Sequence, residues 1–254
     1  MQLIAFDLDG TLCNTIEDIA GSLNRSLEKH GIDPYPQQTV QNMVGRSVAY
    51  MCQRAMPHGR ENDWKPVMDS FYEDYALHSL DHTRPYPGVA EALKALKDRG
   101  YLLACVTNKP HAHAVHMISE LFPPHGDLFC QVQGQNSKFT LKPHPHAVHM
   151  ISELFPPHGD LFCQVQGQNS KFTLKPHPAS LQFVLDIQKV KNANALYVGD
   201  SEVDFQFARN GGLHFCGVSW GFKGRAFLED LGSEFVIDEP RQLLSVMDRL
   251  EGVR

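Results

Sequence analysis

Residues 2–12 read QLIAFDLDGTL. The apolar run Leu3–Phe6 passes straight into acidic residues and a Gly-Thr pair. A short apolar run bounded by turn signals is the pattern of a buried strand followed by a loop. Asp7 and Asp9 lie two apart just beyond that strand. Extended spacing puts both carboxylates on one side of its exit, and Gly10 lets the chain turn sharply there.

Working outward, helical spacing dominates from Thr15 to about His78. Ile16, Ile19, Ala20 and Leu23 recur at that spacing, as do Val44, Val48, Met51 and Ala55. Gly31-Ile32-Asp33-Pro34 and Pro57-His58-Gly59 punctuate the stretch, and no strand pattern interrupts it. This predicts a small all-helical unit, residues 15–83, inserted after the first strand into a core made of residues 1–14 and 84–254. RPYPGV (Arg84–Val89) returns the chain through a proline-fixed turn. Then follow a helix in AEALKALKDRG, the strand YLLACVTN, a helix over 111–122, a strand in LFCQVQG and the helix ASLQFVLDIQKV. The strand NALYVGD, the helix DFQFARNGG, the strand HFCGVSWG and a last helix near Arg241–Leu250 complete the chain. Such alternation predicts an α/β fold, a Rossmann-like parallel sheet covered on both faces. Sites in these sheets form at the carboxyl ends of the strands. Here those ends carry DLDGT, TN, KP and GDSEVD.

Clustered at those ends, Asp7, Asp9, Asp200 and Asp204 would repel one another and call for a cation. All-oxygen ligands favour a hard ion such as Mg²⁺. Thr107 and Asn108 offer neutral donors, and a lysine from LKP adds a fixed positive charge. Carboxylates with Mg²⁺ on one side, and neutral donors with a lysine on the other, make a cradle for a phosphoryl group. A carboxylate placed there can attack phosphorus and form an aspartyl-phosphate.

The set DLDGTL, VTNK, KPHP and VGDSEVD, in this order, resembles the haloacid-dehalogenase-like (HAD) phosphohydrolase superfamily. The helical insertion looks like that family's C1-type cap. NTIEDIAGSLNRSLEKHGI, HSLDHTRPYPGV, ALYVGDSEVDFQFARNGG and GVSWGF are similar to bacterial phosphoglycolate phosphatases and their near relatives. The resemblance implies Asp7 as nucleophile and Asp9 as general acid and base. It implies Mg²⁺ held by Asp7, the backbone carbonyl of Asp9 and Asp200, with Asp204 a further ligand or an orienting group. Thr107 and Asn108 would hold phosphoryl oxygens. The presence of Asp9 argues for phosphate chemistry over dehalogenation. In MVGRS (Met43–Ser47), where the phosphatases typically read VGNG, Gly45 fits a loop dipping into the site. Arg46 could meet a substrate carboxylate bidentately. The expected activity is Mg²⁺-dependent hydrolysis of a small phosphorylated metabolite, with 2-phosphoglycolate the first choice. The alternatives are a pyrophosphatase, a sugar-phosphate mutase, or a catalytically inactive and domain-swapped protein.

Inactivity enters because of a repeat. The 33 residues His113–Pro145 are followed at once by the same 33 residues, His146–Pro178. The segment 113–178 therefore offers two LKP lysines, Lys142 and Lys175, for one place. In one arrangement Lys142 enters the site and the second copy adds a unit at the sheet's open edge. In the other Lys175 enters and the surplus, roughly Pro123 to Phe155, bulges outward. A longer loop costs only ~0.6 kcal/mol per doubling, whereas displacing the helix at 179–190 exposes large side chains at ~1.5–3 kcal/mol each. That comparison favours Lys175.

Composition narrows the partners. A net charge of −6 argues against a nucleic-acid binder. No apolar run approaches the ~20 residues of a membrane span, and MQLIAF is too short for a secretory core. Six cysteines without a CxxC pair read as reduced thiols, so the expected setting is cytoplasmic, as a monomer or homodimer. Eight of the fourteen histidines lie in the repeated stretch, so repetition accounts for the enrichment. His113 and His116 could reach one metal from a helix, but solvated or partly buried helix histidines is the reading preferred.

Overall fold

The computed structural model describes residues 1–122, 131–135 and 173–252, with the backbone alone at 131–135. Its centre is the opening strand, β1 (Leu3–Phe6), whose four residues are all buried. A two-residue strand, β2 (Cys13–Asn14), follows, and the helices α1 (Ile16–Lys29), α2 (Gln37–Gln41), α3 (Val48–Arg54) and α4 (Trp64–His78) come next. β3 (Arg84–Pro85) returns antiparallel to β2, so a two-stranded ribbon joins the two ends of the helical stretch. Buried Asp18 fixes this return by accepting hydrogen bonds from the backbone of His82 and Thr83.

The remaining elements are α5 (Val89–Asp98), β4 (Leu102–Pro110), α6 (His111–Leu121), β5 (Gln131–Gln135), α7 (Ala179–Gln188), β6 (Ala195–Gly199), α8 (Glu202–Gly211), β7 (His214–Val218), α9 (Arg225–Asp230), β8 (Phe235–Ile237) and α10 (Gln242–Leu250). The main sheet runs β5-β4-β1-β6-β7-β8 and every neighbouring pair is parallel. Side chains alternate across it as strand geometry requires. Ile4 and Phe6 join Leu93, Met117 and Val246 on one face. Leu3 and Ala5 join Leu181, Val184 and Phe207 on the other. Both faces are thus covered, the condition for a parallel sheet.

The pairing register places the site. Phe6 lies beside Cys105 on one flank and Val198 on the other. The residues that follow, Asp7, Val106-Thr107 and Gly199-Asp200, therefore leave the sheet at one level. The chain order reverses at β1, and ligand sites of such sheets open at that reversal.

Three details differ from expectation. Val44 is not part of a helix with Val48: α3 starts at Val48, because Gly45 takes φ of +114° and Ser47 caps the helix by accepting from Tyr50 N. The strand β8 and the helix α9 were not anticipated, since three and six residues are too short to show a period. The strand expected in LFCQVQG is described over Gln131–Gln135, beside β4. Lys142 and most of the expected outward bulge lie outside the described residues. Among the described residues, no helix is long and apolar enough to cross a membrane.

Candidate active site

Asp7 ends β1, Asp200 ends β6, and Asp204 sits in the first turn of α8. One oxygen from each lies within 4.8 Å of the others, and all three residues are buried. Glycines make room for this. A Cβ on Gly10 (φ +81°) or on Gly221 would overlap Asp200, and one on Gly199 would overlap Asp204. Asp200 accepts a 2.6 Å hydrogen bond from Phe222 N. Asp204 divides its carboxylate. Oδ2 takes Ser201 Oγ at 2.6 Å in a reciprocal cap of α8, which suits the positive end of the helix. Oδ1 faces Lys175.

Lys175 Nζ lies 2.7 Å from Asp204 Oδ1, 2.8 Å from Asp7 Oδ1 and 3.0 Å from the Tyr197 hydroxyl. The same ammonium thus holds Asp7 Oδ1 in a buried ion pair. Burial works against the charge on Lys175, but Asp204 and Asp7 outweigh it and hold the group charged, its pKa raised. Burial raises Asp7 from 3.8 to about 6; the opposing pull of Lys175 is partly cancelled by Asp204 and Asp9. Asp200 is pushed well above the usual carboxylate range by burial and then by Asp204 and Asp7. Three carboxylates against one ammonium leave an excess of negative charge. With all-oxygen donors gathered within 4.8 Å of one another, the cluster fits a hard divalent cation.

Asp9 stands apart from this trio. Its carboxylate accepts from Lys109 Nζ at 2.9 Å, and the same ammonium donates to the Tyr75 hydroxyl of α4 at 2.8 Å. Lys109 is buried and held charged: burial lowers its pKa, but Asp9 and Tyr75 raise it further. Of the three or four clustered carboxylates expected from sequence, Asp7, Asp200 and Asp204 meet, while the Asp9 carboxylate pairs with Lys109.

β4 shifts register between Val106 and Pro110, which turns Thr107–Lys109 out of regular pairing toward the site. Thr107 Oγ1 accepts from Lys109 N at 3.2 Å. Asn108 brackets the returning lysine. Its Oδ1 accepts from Lys175 N at 2.8 Å, and its Nδ2 lies 3.3 Å from both Lys175 O and Gly45 O. The amide expected to hold a phosphoryl oxygen is therefore occupied in placing Lys175 and the Gly45 loop. Arg46 lines the cleft above the site with its guanidinium 5.0 Å from the centre of the Tyr50 ring.

That cleft encloses about 570 Å³, its open mouth included, between the helical stretch and the strand ends. Two of its residues were given no role from the sequence, Lys109 and Tyr75, and a third, His113, was weighed there only as a metal ligand. Lys109 stands in the motif VTNK, where spacing alone points to no partner for it. Tyr75 follows Met68, Phe71 and Tyr72 on one buried stripe of α4, a pattern indistinguishable from core. His113 is buried while His116 is exposed, which leaves no shared metal site for the two.

The chain matches the family model described as Haloacid dehalogenase-like hydrolase over residues 4–156 and 157–218. A phosphoglycolate phosphatase of Haemophilus influenzae is 27% identical over 254 residues, spanning 97% of this chain and 98% of that protein. A phosphoglycolate phosphatase of Psychrobacter arcticus is 30% identical over 229 residues, spanning 87% and 84%. The crystal structure of a predicted phosphoglycolate phosphatase from Haemophilus somnus superposes with a TM-score of 0.78 at 26% identity, covering 97% of this chain and 98% of that one.

Proposed function

The chain belongs to the haloacid dehalogenase-like hydrolase family and is a phosphatase, and on that premise we propose that it is a Mg²⁺-dependent phosphomonoester hydrolase whose substrate is 2-phosphoglycolate. The observation that carries this reading is Asp7: a buried carboxylate at the mouth of β1, paired with Lys175 and within one ion's reach of two further buried carboxylates. Asp7 attacks phosphorus, and the bond from phosphorus to the ester oxygen breaks. Asp9 delivers a proton to that leaving oxygen. Asp9 then takes a proton from water, which attacks the aspartyl-phosphate and releases phosphate and the Asp7 carboxylate. Lys175 keeps Asp7 and Asp204 in place and offsets their charge. The Thr107 hydroxyl holds a phosphoryl oxygen, and Asn108 acts through its grip on Lys175. Asp7, Asp200, Asp204 and the Asp9 carbonyl would hold Mg²⁺, which supplies neutralising charge at the phosphoryl group. Residues 15–83 serve as a cap, with Gly45 and Arg46 facing the substrate and Arg46 receiving its carboxylate.

The reading is tested by hydrolysis of p-nitrophenyl phosphate and 2-phosphoglycolate in Mg²⁺ and in EDTA. Turnover of both in Mg²⁺, its loss in EDTA and a higher kcat/KM for 2-phosphoglycolate are expected. No turnover in Mg²⁺ would show that the repeat has disabled the site.

Metal binding has a separate signature in the melting temperature. A carboxyl raised in the folded state stabilises the fold while it is protonated. For Asp7 that contribution is complete below about 3.8 and disappears as pH rises through about 6. A cation bound only by the native state restores stability over the same window. The Mg²⁺-minus-EDTA difference in melting temperature should therefore be near zero at pH 4 and grow through pH 6 to a plateau near pH 8. Taking the difference removes surface carboxylates common to both conditions. A difference that does not vary with pH would refute the carboxylate site.

A further inference from the structure

His113, in the first turns of α6, is 6% exposed, and its Nε2 has no hydrogen-bond partner among the described residues although the atom is out of solvent. Buried polar atoms in native proteins are almost always paired, so an orphan calls for an explanation. The ring is held in a fixed attitude by aromatic neighbours from α4. It lies parallel to Tyr72 at 6.4 Å (interplanar angle 7°) and edge-on to Tyr75 at 5.4 Å. It lines the same cleft as Asp7, Asp9, Arg46 and Lys109. Packing therefore accounts for the ring but not for the nitrogen.

The charge around the cleft says what would pair with it. Among the described residues, the only carboxylates that line the cleft are Asp7 and Asp9, and both already face cations. Arg46 contributes a further positive charge to the wall. An oxygen bearing negative charge is the complementary guest. We infer that His113 Nε2 donates a hydrogen bond to a carboxylate oxygen on the organic part of the substrate, and so selects carboxylate-bearing phosphomonoesters. The inference rests on the phosphatase reading above and assigns a residue to its specificity. The environment supports an uncharged ring: burial, followed by the charge of Lys109, lowers the His113 pKa to about 4. A neutral imidazole carries one N–H, and in an aromatic, water-poor wall an unmade hydrogen bond is costly. A substrate lacking the carboxylate would leave that nitrogen unpaired, the arrangement that rejects analogues most strongly.

The test compares 2-phosphoglycolate with ethyl phosphate, which has the same two carbons and no carboxylate, in wild type, His113→Phe and His113→Gln. Phenylalanine keeps the ring between the tyrosines and removes the nitrogen, so the melting temperature should hold or rise. The kcat/KM preference for 2-phosphoglycolate over ethyl phosphate is expected to fall tenfold or more in His113→Phe, chiefly through KM. Glutamine, whose amide reaches a similar position, should restore part of it. An unchanged preference, or a parallel loss on both substrates, would overturn the inference. If wild type hydrolyses neither ester, the phosphomonoesterase assignment fails instead. Calorimetric titration of 2-phosphoglycolate in Mg²⁺ then decides: binding tenfold weaker in His113→Phe supports the contact, and equal affinity refutes it.

Discussion

Asp7→Asn should lower turnover by a factor on the order of 10³ or more, equivalent to at least ~4 kcal/mol of transition-state stabilisation, and should raise the melting temperature in EDTA. The two effects share one cause. Asp7 is buried next to Asp200 and Asp204, and ionising it in the fold costs more than ionising it in the unfolded chain, which is why its pKa is driven from 3.8 to about 6. Two pKa steps correspond to roughly 3 kcal/mol. A neutral amide of the same shape removes that cost above pH 6. At roughly 2–4 °C per kcal/mol for a chain of this size, the variant should melt several degrees higher at pH 7.5 without metal. Melting curves and single-turnover assays on one preparation decide the matter. Lost activity with a lowered melting temperature would make Asp7 a structural residue. Retention of more than about a tenth of the activity would remove it as the nucleophile.

The largest loss of stability is expected from Lys175→Ala. Lys175 Nζ is 2% exposed as part of its side chain and sits between Asp204 and Asp7 at 2.7 and 2.8 Å. Deleting one partner of a buried ion pair leaves its counterpart unpaired, at about 3–5 kcal/mol. Melting should fall by on the order of 10 °C, turnover by at least about 100-fold, and Mg²⁺ should recover part of the stability by drawing the same carboxylates together. Lys142→Ala, by contrast, should change turnover less than about twofold. A dead Lys142 variant with an active Lys175 variant would reverse the assignment. If neither substitution matters alone, the two lysines exchange places.

The fold was legible because its signals are long and local. Continuous apolar runs at Leu3–Phe6 and Leu103–Val106 state their burial directly, and their termination in Asp, Thr and Asn marks the strand ends where side chains meet. Two parts of the site were less accessible for a physical reason. Asp9's partner Lys109 lies a hundred positions away, and its second partner, Tyr75, comes from a different layer of the molecule. Sequence spacing carries no record of such meetings. His113 was hidden differently, because a histidine at helical spacing reads as ordinary whether or not its nitrogen finds a partner. The choice between Lys142 and Lys175 rested on an energy comparison between helix displacement and loop length. In the structure α7 is docked, with Leu181, Val184 and Leu185 fully buried, and Lys175 stands beside Asp7.

The hydrogen bonds from Asn108 to the backbone of Lys175 carry a further implication. They locate the lysine from β4, the strand that also launches α6, so the separation along the chain between Phe122 and Leu174 does not enter the geometry of the catalytic cleft. Position is set by a clasp across space, and chain length between the clasped points becomes a free variable. A segment gained or lost between those points leaves this clasp, and the placing of Lys175 by it, unchanged.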